Sequence, residues 1–264
     1  MTDDDKLRLG GMALRNGLLV HGPTHWAAAV RTRDGEIKAA SGKKPRLRAV
    51  DGVPGVRGVA RLGEAMAVIP LVKRGLPEAR LPFQDVSVLT VAAGASVAGA
   101  LAKKRLGGMG GETIAALVSV TPALFALRGG ELAQYHGVEH KAIAAYEAAE
   151  ETDAKDTDKE HDRCGSHLVA PMLASNLAGT LLLRRALVRP GPVAGGAVAL
   201  ASTAVAVEVF AWSERHAESR LARVLRRPGH EIQRAVGTRE PTSDQLDVGR
   251  AALAEILRVE ASSA

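Results

Sequence analysis

Aromatic residues and cysteine are scarce in this chain of 264 residues. Phe, Trp and Tyr together make up 3% of it, so its interior must be filled by Ala, Val, Leu and Gly, which is typical of helices that pack closely in membranes. The single cysteine, Cys164, excludes an internal disulfide framework and favours a reducing compartment. The acidic start, residues 1–6, has no apolar stretch, so a cleavable secretory signal is not expected.

The composition excludes a disordered chain, because 46% of the residues are hydrophobic and 24% are charged. The net charge of +6 is unevenly distributed. Residues 128–167 are acidic, with ten Asp or Glu against five Lys or Arg, and basic residues elsewhere flank apolar stretches. Since few aromatic side chains are present to stack on bases, nucleic acid is not an expected partner.

Long apolar runs are the main feature that the sequence does have. Four uncharged runs cover residues 86–102, 113–127, 168–183 and 190–207. A membrane-spanning helix needs about 20 residues, so each run is of borderline length. Residues 86–102 are apolar or small on every side of a helix, which favours membrane helices over the amphipathic helices of a soluble bundle. Shallow re-entrant hairpins are the alternative arrangement in the membrane.

The runs pair into two hairpins, because short basic loops join them at residues 103–111 and 184–190. If all four runs cross a membrane, the two ends of the chain and the segment 128–167 share one side. Most Lys and Arg lie on that side, and the positive-inside rule makes it cytoplasmic. The predicted organisation is a cytoplasmic α+β region (1–82), a membrane helical region (83–213) and a helical tail (214–264).

Local patterns predict a small β element near the N-terminus. Two strand-like segments, residues 26–32 and 36–40, flank Asp34-Gly35, which is typical of a type I′ hairpin turn. Gly10-Gly11 and His21-Gly22-Pro23 are predicted to form tight turns.

The C-terminal region is predicted to be helical. Residues 214–227 carry five arginines and an apolar face at Leu221, Val224 and Leu225, a pattern that fits either an anionic membrane surface or an ordinary solvated helix. Thr242–Gln245 is a capping-box pattern that opens a last helix, to about residue 258. The predicted fold is therefore mostly α, with about four apolar membrane helices in two hairpins, an N-terminal β-hairpin and an amphipathic helical tail.

One motif can carry chemistry. His136 and His140 are four residues apart, so on a helix they share a face and can hold one metal ion through neutral imidazoles. Glu139 beside them is placed to accept a proton from water, in the H-x-x-E-H order of inverted zinc peptidases. The sequence therefore predicts a site for zinc or another divalent transition metal, with Glu139 as general base.

Further ligands are needed to complete such a site. His161 and Cys164 form an H-x-x-C pattern just before the third apolar run, and either or both could bind the ion. Glu147 lies roughly 10 Å beyond His140 along a helix, so it is expected to orient an imidazole rather than to bind the metal. Glu208, a carboxylate near the end of the fourth run, is an alternative ligand or orienting group.

These residues give the chain a resemblance to the YqhQ-like family of bacterial membrane proteins, which are described as predicted metal-dependent enzymes. The motifs that carry it extend over nearly the whole sequence: Gly10-Gly11, Gly17, Gly22-Pro23, Arg57-Gly58-Val59, Tyr135–Lys141, Tyr146-Glu147, Arg163-Cys164-Gly165, Glu208, Gln233-Arg234 and Thr238–Pro241. The resemblance implies a multi-pass location in the bacterial cell membrane and a metal site, but no particular reaction. The chain departs from the family pattern at Met12 and Asn16, where Gln and Glu are usual, and at residues 19–21.

Three hypotheses follow for function. The first is a membrane-embedded metal-dependent hydrolase with its site at the cytoplasmic membrane interface. The second is a non-catalytic membrane scaffold or assembly factor, whose metal would be structural and closed by four protein ligands. The third is a thiol enzyme with Cys164 as nucleophile and a histidine as base. The number of protein ligands on the metal distinguishes the first from the second.

Overall fold

The computed structural model describes residues 6–50, 52–53, 55–128, 130–148, 152–187 and 191–263. The acidic start before residue 6 and Arg189-Pro190 in the second predicted loop lie outside these ranges. The strands are β1 (Gly10–Leu14), β2 (Gly17–His21), β3 (His25–Arg31) and β4 (Ile37–Lys43). The helices are α1 (Val56–Gly75), α2 (Val86–Leu106), α3 (Gly108–Ser119), α4 (Thr121–Arg128), α5 (Glu131–Glu147), α6 (Val169–Ala186), α7 (Pro192–Arg215), α8 (Arg220–Ile232) and α9 (Ser243–Ala261). A π-helix, Gln233–Gly237, follows α8. The fold is mostly helical, as predicted.

The N-terminal β element is larger than predicted. Its four strands form one antiparallel sheet in the order β1-β2-β3-β4. The turn predicted at Gly10-Gly11 is wrong, because both residues lie in β1. Residues 17–20 of β2 are buried without interruption, so the alternation of polar and apolar residues that identifies a half-exposed strand is missing from the sequence.

The hairpin predicted around Asp34-Gly35 is confirmed, but its turn type is not. Arg31 pairs with Ile37, which leaves a five-residue connection. Only Gly35 has a positive φ, of 85°, whereas a type I′ turn requires positive φ at both central residues. The amide of Gly35 donates to the carbonyl of Thr32 at 3.2 Å. Gly35 is thus the one residue of this turn in the left-handed region, which glycine adopts without strain.

Both faces of the sheet are covered by helices. One face packs on α5 and α9, and Gly249 of α9 allows close contact there, since a Cβ on it would lie 2.4 Å from Val138 of α5. The other face packs on Val68, Ile69 and Val72 of α1. The two packed faces together contain residues from all three predicted regions. The predicted boundaries of these regions at residues 82 and 213 stay predictions.

Among the described residues, four helical segments are long and apolar enough to cross a membrane: Val86–Leu106, Gly108–Arg128, Gly165–Ala186 and Val193–Arg215. Between 6% and 17% of the residues in their most apolar windows are buried, so their hydrophobic side chains face outwards. The second segment consists of α3 and α4. The predicted pairing is present, because α2 packs on α3 and α6 packs on α7. Gly99 and Gly179 provide close contacts in the two hairpins, as small residues do between membrane helices.

The helical tail differs from the prediction at one point. Residues 214–227 are not one helix, because α7 ends at Arg215 and α8 begins at Arg220. Ser219 caps α8 by accepting a hydrogen bond from the amide of Ala222 at 3.0 Å. The predicted capping box at the start of α9 is confirmed, with Thr242 and Gln245 hydrogen-bonded in both directions.

A buried carboxylate attaches the end of α9 to the sheet. Glu260 accepts hydrogen bonds from the amides of Thr24 and His25, both at 2.8 Å, and from the Thr24 hydroxyl at 2.7 Å. Burial disfavours the charged carboxylate, but these hydrogen bonds outweigh it and lower the pKa of Glu260. The charged form therefore stabilises the folded state.

Replacing Glu260 with Gln should lower the free energy of unfolding at pH 7 by about 1.5–3 kcal/mol, the usual contribution of hydrogen bonds to a charged group. Because the folded-state pKa is below the unfolded one, wild type holds this advantage above the unfolded pKa of Glu and loses it as pH falls through the folded pKa. Thermal unfolding in detergent at pH 7 and near pH 4 measures the difference. Glu231→Gln is the control, since its carboxylate pairs with Arg234 on the surface and an exposed ion pair contributes little to stability. An equal deficit at both pH values would contradict the prediction.

Candidate metal centre

Helix α5 brings the two motif histidines together, as their spacing predicts. The imidazole ring centres of His136 and His140 lie 4.4 Å apart, and His140 is only 2% exposed. The buried side of the helix packs on the sheet and on the neighbouring helix α9. Helix α5 therefore holds polar side chains inside an apolar core.

Cys164 completes a cluster with these two residues. One potential ligand atom from each of His136, His140 and Cys164 lies within 4.8 Å of the others. The Cys164 Sγ is 3.4 Å from the His136 Nε2. Zinc at about 2.0–2.3 Å from tetrahedral N and S ligands separates those ligands by roughly 3.3–3.8 Å. This pair already has that separation, and the third ligand needs to move by about 1 Å.

The hydrogen bonds of both imidazoles prepare them to bind a metal. The Nδ1 of His136 contacts the carbonyl of Gly237 at 2.8 Å, and the Nδ1 of His140 contacts the carbonyl of Lys159 at 2.5 Å. A carbonyl only accepts, so in both rings Nδ1 carries the proton and Nε2 keeps its lone pair. The His140 Nε2 is buried and has no hydrogen-bond partner among the described residues. A metal ion would satisfy this orphaned atom.

Burial favours the uncharged forms of His140 and Cys164 in the protein alone. Burial, with a smaller contribution from His136, lowers the pKa of His140 to about 2, so it is neutral, as a metal ligand must be. Burial also raises the pKa of the Cys164 thiol. Metal binding would then have to displace the thiol proton.

Glu139 lies next to His140 in the chain and close to the cluster. Among the described residues, no hydrogen bond or ion pair to its carboxylate is found. Burial raises its pKa to about 7, with His136 lowering the value and Cys164 raising it. Gly11 of β1 packs against this side chain, since a Cβ on Gly11 would lie 2.6 Å from the Glu139 Cγ. Gly11, predicted only as a turn residue, thus provides the space that Glu139 occupies.

His161 lies near the cluster but is not one of its three members. Its ring centre is 5.7 Å from that of His140. Its Nδ1 accepts a hydrogen bond from the amide of Arg163 at 3.2 Å, and its Nε2 is 3.4 Å from Glu147 Oε2. Burial lowers the pKa of His161. Glu147 also pairs with Arg163. The roles of His161 as ligand and of Glu147 as orienting group stay predictions.

Glu208 faces a different set of partners. It forms a bidentate ion pair with Arg57, at 2.8 and 3.1 Å, and accepts the amide of Gly55 at 2.9 Å. A cavity of about 1090 Å³ separates α1 and α7 from the loop that carries His161, and Glu208 lies in its wall. The structure thus places Glu208 in the wall of a cavity that His161 and Glu147 also line, and the role of Glu208 in binding stays a prediction.

Gln233 holds the Cys164 loop in place and was given no role from sequence. This side chain is fully buried. Its Oε1 accepts the amide of His161 at 2.8 Å, and its Nε2 donates to the carbonyl of His161 at 3.1 Å and to the Ser166 hydroxyl at 2.9 Å. The same π-helix ends at Gly237, whose carbonyl orients His136. No helical periodicity in sequence announces a π-helix, although such turns are frequent at functional sites.

Residues 130–259 match the model of a family described as proteins of unknown function (DUF1385). This stretch contains α5, Cys164 and the π-helix, whereas the sheet, α1 and α2 lie outside it. No curated protein and no solved structure matches the chain. Over the part that carries the three clustered residues, the chain is therefore similar to a family without an assigned activity, and its function must be argued from the site.

Proposed function

We propose that the protein is a membrane-embedded, metal-dependent hydrolase, in which His136, His140 and Cys164 hold zinc or another divalent transition metal. The observation that carries the proposal is the cluster of three ligand atoms within 4.8 Å, in which the buried Nε2 of His140 has no other partner. Three protein ligands leave a fourth position open on a tetrahedral ion, which is typical of catalytic zinc.

Glu139 supplies the general base in this proposal. A bound zinc ion would make an attacking water molecule more acidic. The carboxylate of Glu139 is next to the ligands in the chain and has no hydrogen-bond partner among the described residues, so it would accept the proton of that water. Gly11 packs against the Glu139 side chain.

The proposed location is a bacterial cell membrane, with the site at its cytoplasmic face. Four apolar helical segments support membrane spanning by their length and composition. The site segment connects the second and third of them, so the site lies at a membrane surface, and the excess of Lys and Arg on that side favours the cytoplasm. We also propose that the chain is a member of the YqhQ-like family of membrane proteins.

A structural metal site in a membrane scaffold is the second candidate. The observation that favours it is the position of His161, whose ring centre is 5.7 Å from that of His140. If its ring turned away from Glu147, four protein ligands could close the site. A thiol enzyme is less favoured, although Cys164 Sγ and His136 Nε2 are 3.4 Å apart, because burial raises the thiol pKa and a nucleophilic cysteine needs a lowered one.

Elemental analysis of the full-length protein, purified in detergent without chelator, should find about one zinc or similar ion per chain. The double variant His136→Ala/His140→Ala and the variant Cys164→Ala should each lose it, because three ligands hold the ion. His216→Ala is the matched control, since this exposed imidazole stacks on Trp212 and is not one of the clustered residues. His161→Ala should keep the ion if the site is catalytic and lose it if four residues close the site. Metal content that is unchanged in the double variant would contradict the site.

Glu139→Gln should retain the metal and lose hydrolytic activity by about 10²–10⁴-fold, the usual contribution of a general base. The assay is a panel of chromogenic esters, phosphodiesters and peptides, with metal content measured in parallel. Glu131→Gln, at the exposed start of the same helix, is the control. If the metal-loaded Glu139 variant were as active as wild type, Glu139 would not be the base.

Gln233→Ala should weaken metal affinity by about 10–100-fold, as loss of a group that orients a ligand usually does. The physical reason is that the Cys164 loop loses the side chain that holds His161 and Ser166. Competition with a fluorescent zinc chelator measures this. Gln134→Ala on α5, whose side chain contacts Gln245, should leave the affinity unchanged. A stable Gln233 variant with wild-type affinity would contradict this role.

A further inference from the structure

Helix α8 exposes an apolar stripe instead of burying it. Leu221 and Val224 are 58% and 66% exposed. Leu225 and Pro228 continue the stripe at spacings that put all four residues on one side of a helix. The face that packs on the protein is a different one, formed by Ala222, Arg226 and Gly229. An apolar side of a soluble helix would normally be the buried one.

Three arginines lie along the same helix next to this stripe. Arg220, Arg223 and Arg227 are exposed, and no ion pair to them is found among the described residues. Arg226, on the packed face, differs because it is buried and pairs with Asp162 at 3.1 Å. The outer face of α8 thus presents three free positive charges beside four apolar side chains.

The position of α8 in the chain places it at the surface of the membrane. It begins five residues after Arg215, the last residue of α7, which is the fourth candidate span. Trp212 lies in the last turn of α7, and aromatic residues are enriched at the level of the lipid headgroups. With 13 residues, α8 is about 20 Å long and too short to cross the hydrocarbon core.

We propose that α8 binds an anionic lipid surface, with Arg220, Arg223 and Arg227 on headgroup phosphates and the Leu221–Val224 side in the acyl-chain boundary. Charge complementarity and the depth set by α7 favour a membrane over a protein partner. The proposal rests on the membrane location in the proposed function, but not on the metal or on hydrolysis.

Binding of α8 to lipid would also fix the candidate site against the membrane. The carbonyl of Arg226 accepts a hydrogen bond from His167 at 2.9 Å. His230 and Arg226 both contact Asp162, at 3.0 and 3.1 Å. These contacts join the packed face of α8 to the loop that carries Cys164. Lipid on one face of this helix is therefore one helix diameter from the metal-site loop on the other.

Lipid quenching of a fluorophore tests this. The full-length protein carrying Val224→Cys is labelled with bimane and reconstituted in phosphatidylcholine nanodiscs with or without phosphatidylglycerol, using brominated acyl chains as quencher. Cys164 is buried, and wild type treated in the same way gives the background. Ala254→Cys, on an exposed position of α9, is the matched control, and Leu221→Cys is the second probe if the first variant does not fold.

The label on α8 should be quenched strongly in anionic nanodiscs, less in neutral ones, and more than the label on α9 in both. Arg220→Gln/Arg223→Gln/Arg227→Gln should reduce the docked-to-undocked ratio by about fivefold per arginine. The equally charged control, Arg234→Gln/Arg250→Gln/Arg258→Gln, should not, since these arginines pair with carboxylates of the chain itself.

Three results from the labelled variants would overturn the proposal. The first is quenching on α8 that is no greater than on α9, and the second is quenching that responds neither to phosphatidylglycerol nor to the triple variant. The third is close spin–spin coupling when Val224→Cys carries a nitroxide instead of bimane, which would show a second copy of the chain on this face. Metal-free protein whose α8 still docks would contradict the hydrolase and support the lipid contact. Protein that stays monodisperse without detergent would contradict the membrane location and this proposal together.

Discussion

Helix α5 is buried in the core with polar side chains on it, and the rest of the site depends on how those groups are satisfied. Lys141 is 4% exposed and donates from Nζ to the carbonyl of Thr157 at 2.5 Å, with Glu240 at 3.2 Å. His140 donates to Lys159, and His136 to Gly237. A buried polar group without a hydrogen-bond partner costs about 1–3 kcal/mol. The need to supply these partners therefore fixes the course of the two segments that contain them, residues 157–159 and 237–240.

The same helix fixes the segment after the π-helix by steric contact. Gly137 lies under Arg239, because a Cβ on it would be 2.3 Å from the Arg239 carbonyl oxygen. The amide of Arg239 in turn donates to the carbonyl of Ala133 at 2.9 Å. The close approach of this segment to α5 brings the Gly237 carbonyl within hydrogen-bond distance of His136. Gly137, the residue after His136, therefore helps to orient this candidate ligand.

Ion pairs connect the core formed by the sheet, α1, α5 and α9 to the end of the fourth apolar helix, α7. Arg57 of α1 donates from Nε and Nη2 to the two carboxylate oxygens of Glu208 on α7. Arg8 near the N-terminus contacts both oxygens of Glu214 through the single nitrogen Nη2. Between them, Gly58 allows α1 to approach Val207. The two parallel hydrogen bonds between Arg57 and Glu208 have a defined geometry. Together with the contact of Gly58 they connect α1, and the core on which it packs, to α7.

Sequence reasoning found the parts of the molecule that depend on local pattern. The apolar helices, the i, i+4 pair His136 and His140, and the capping box of α9 follow from composition and spacing within a few residues. Gly11 and Gln233 were missed as parts of the site because their roles arise from packing between segments more than 60 residues apart in the chain. A glycine in a short strand and a glutamine in a π-helix carry no periodic pattern that reveals such contacts.

Charge balance gives a physical reason for a cation in the cluster. Burial raises the pKa of both Glu139 and Cys164 and lowers that of His140, so every charged form is costly at this position. A protein that needed only packing could place apolar side chains here at no such cost. A divalent cation would reverse the balance, since it attracts a thiolate and a carboxylate and binds neutral imidazoles. Residues that are unfavourable as an isolated buried cluster are thus favourable together around one metal ion.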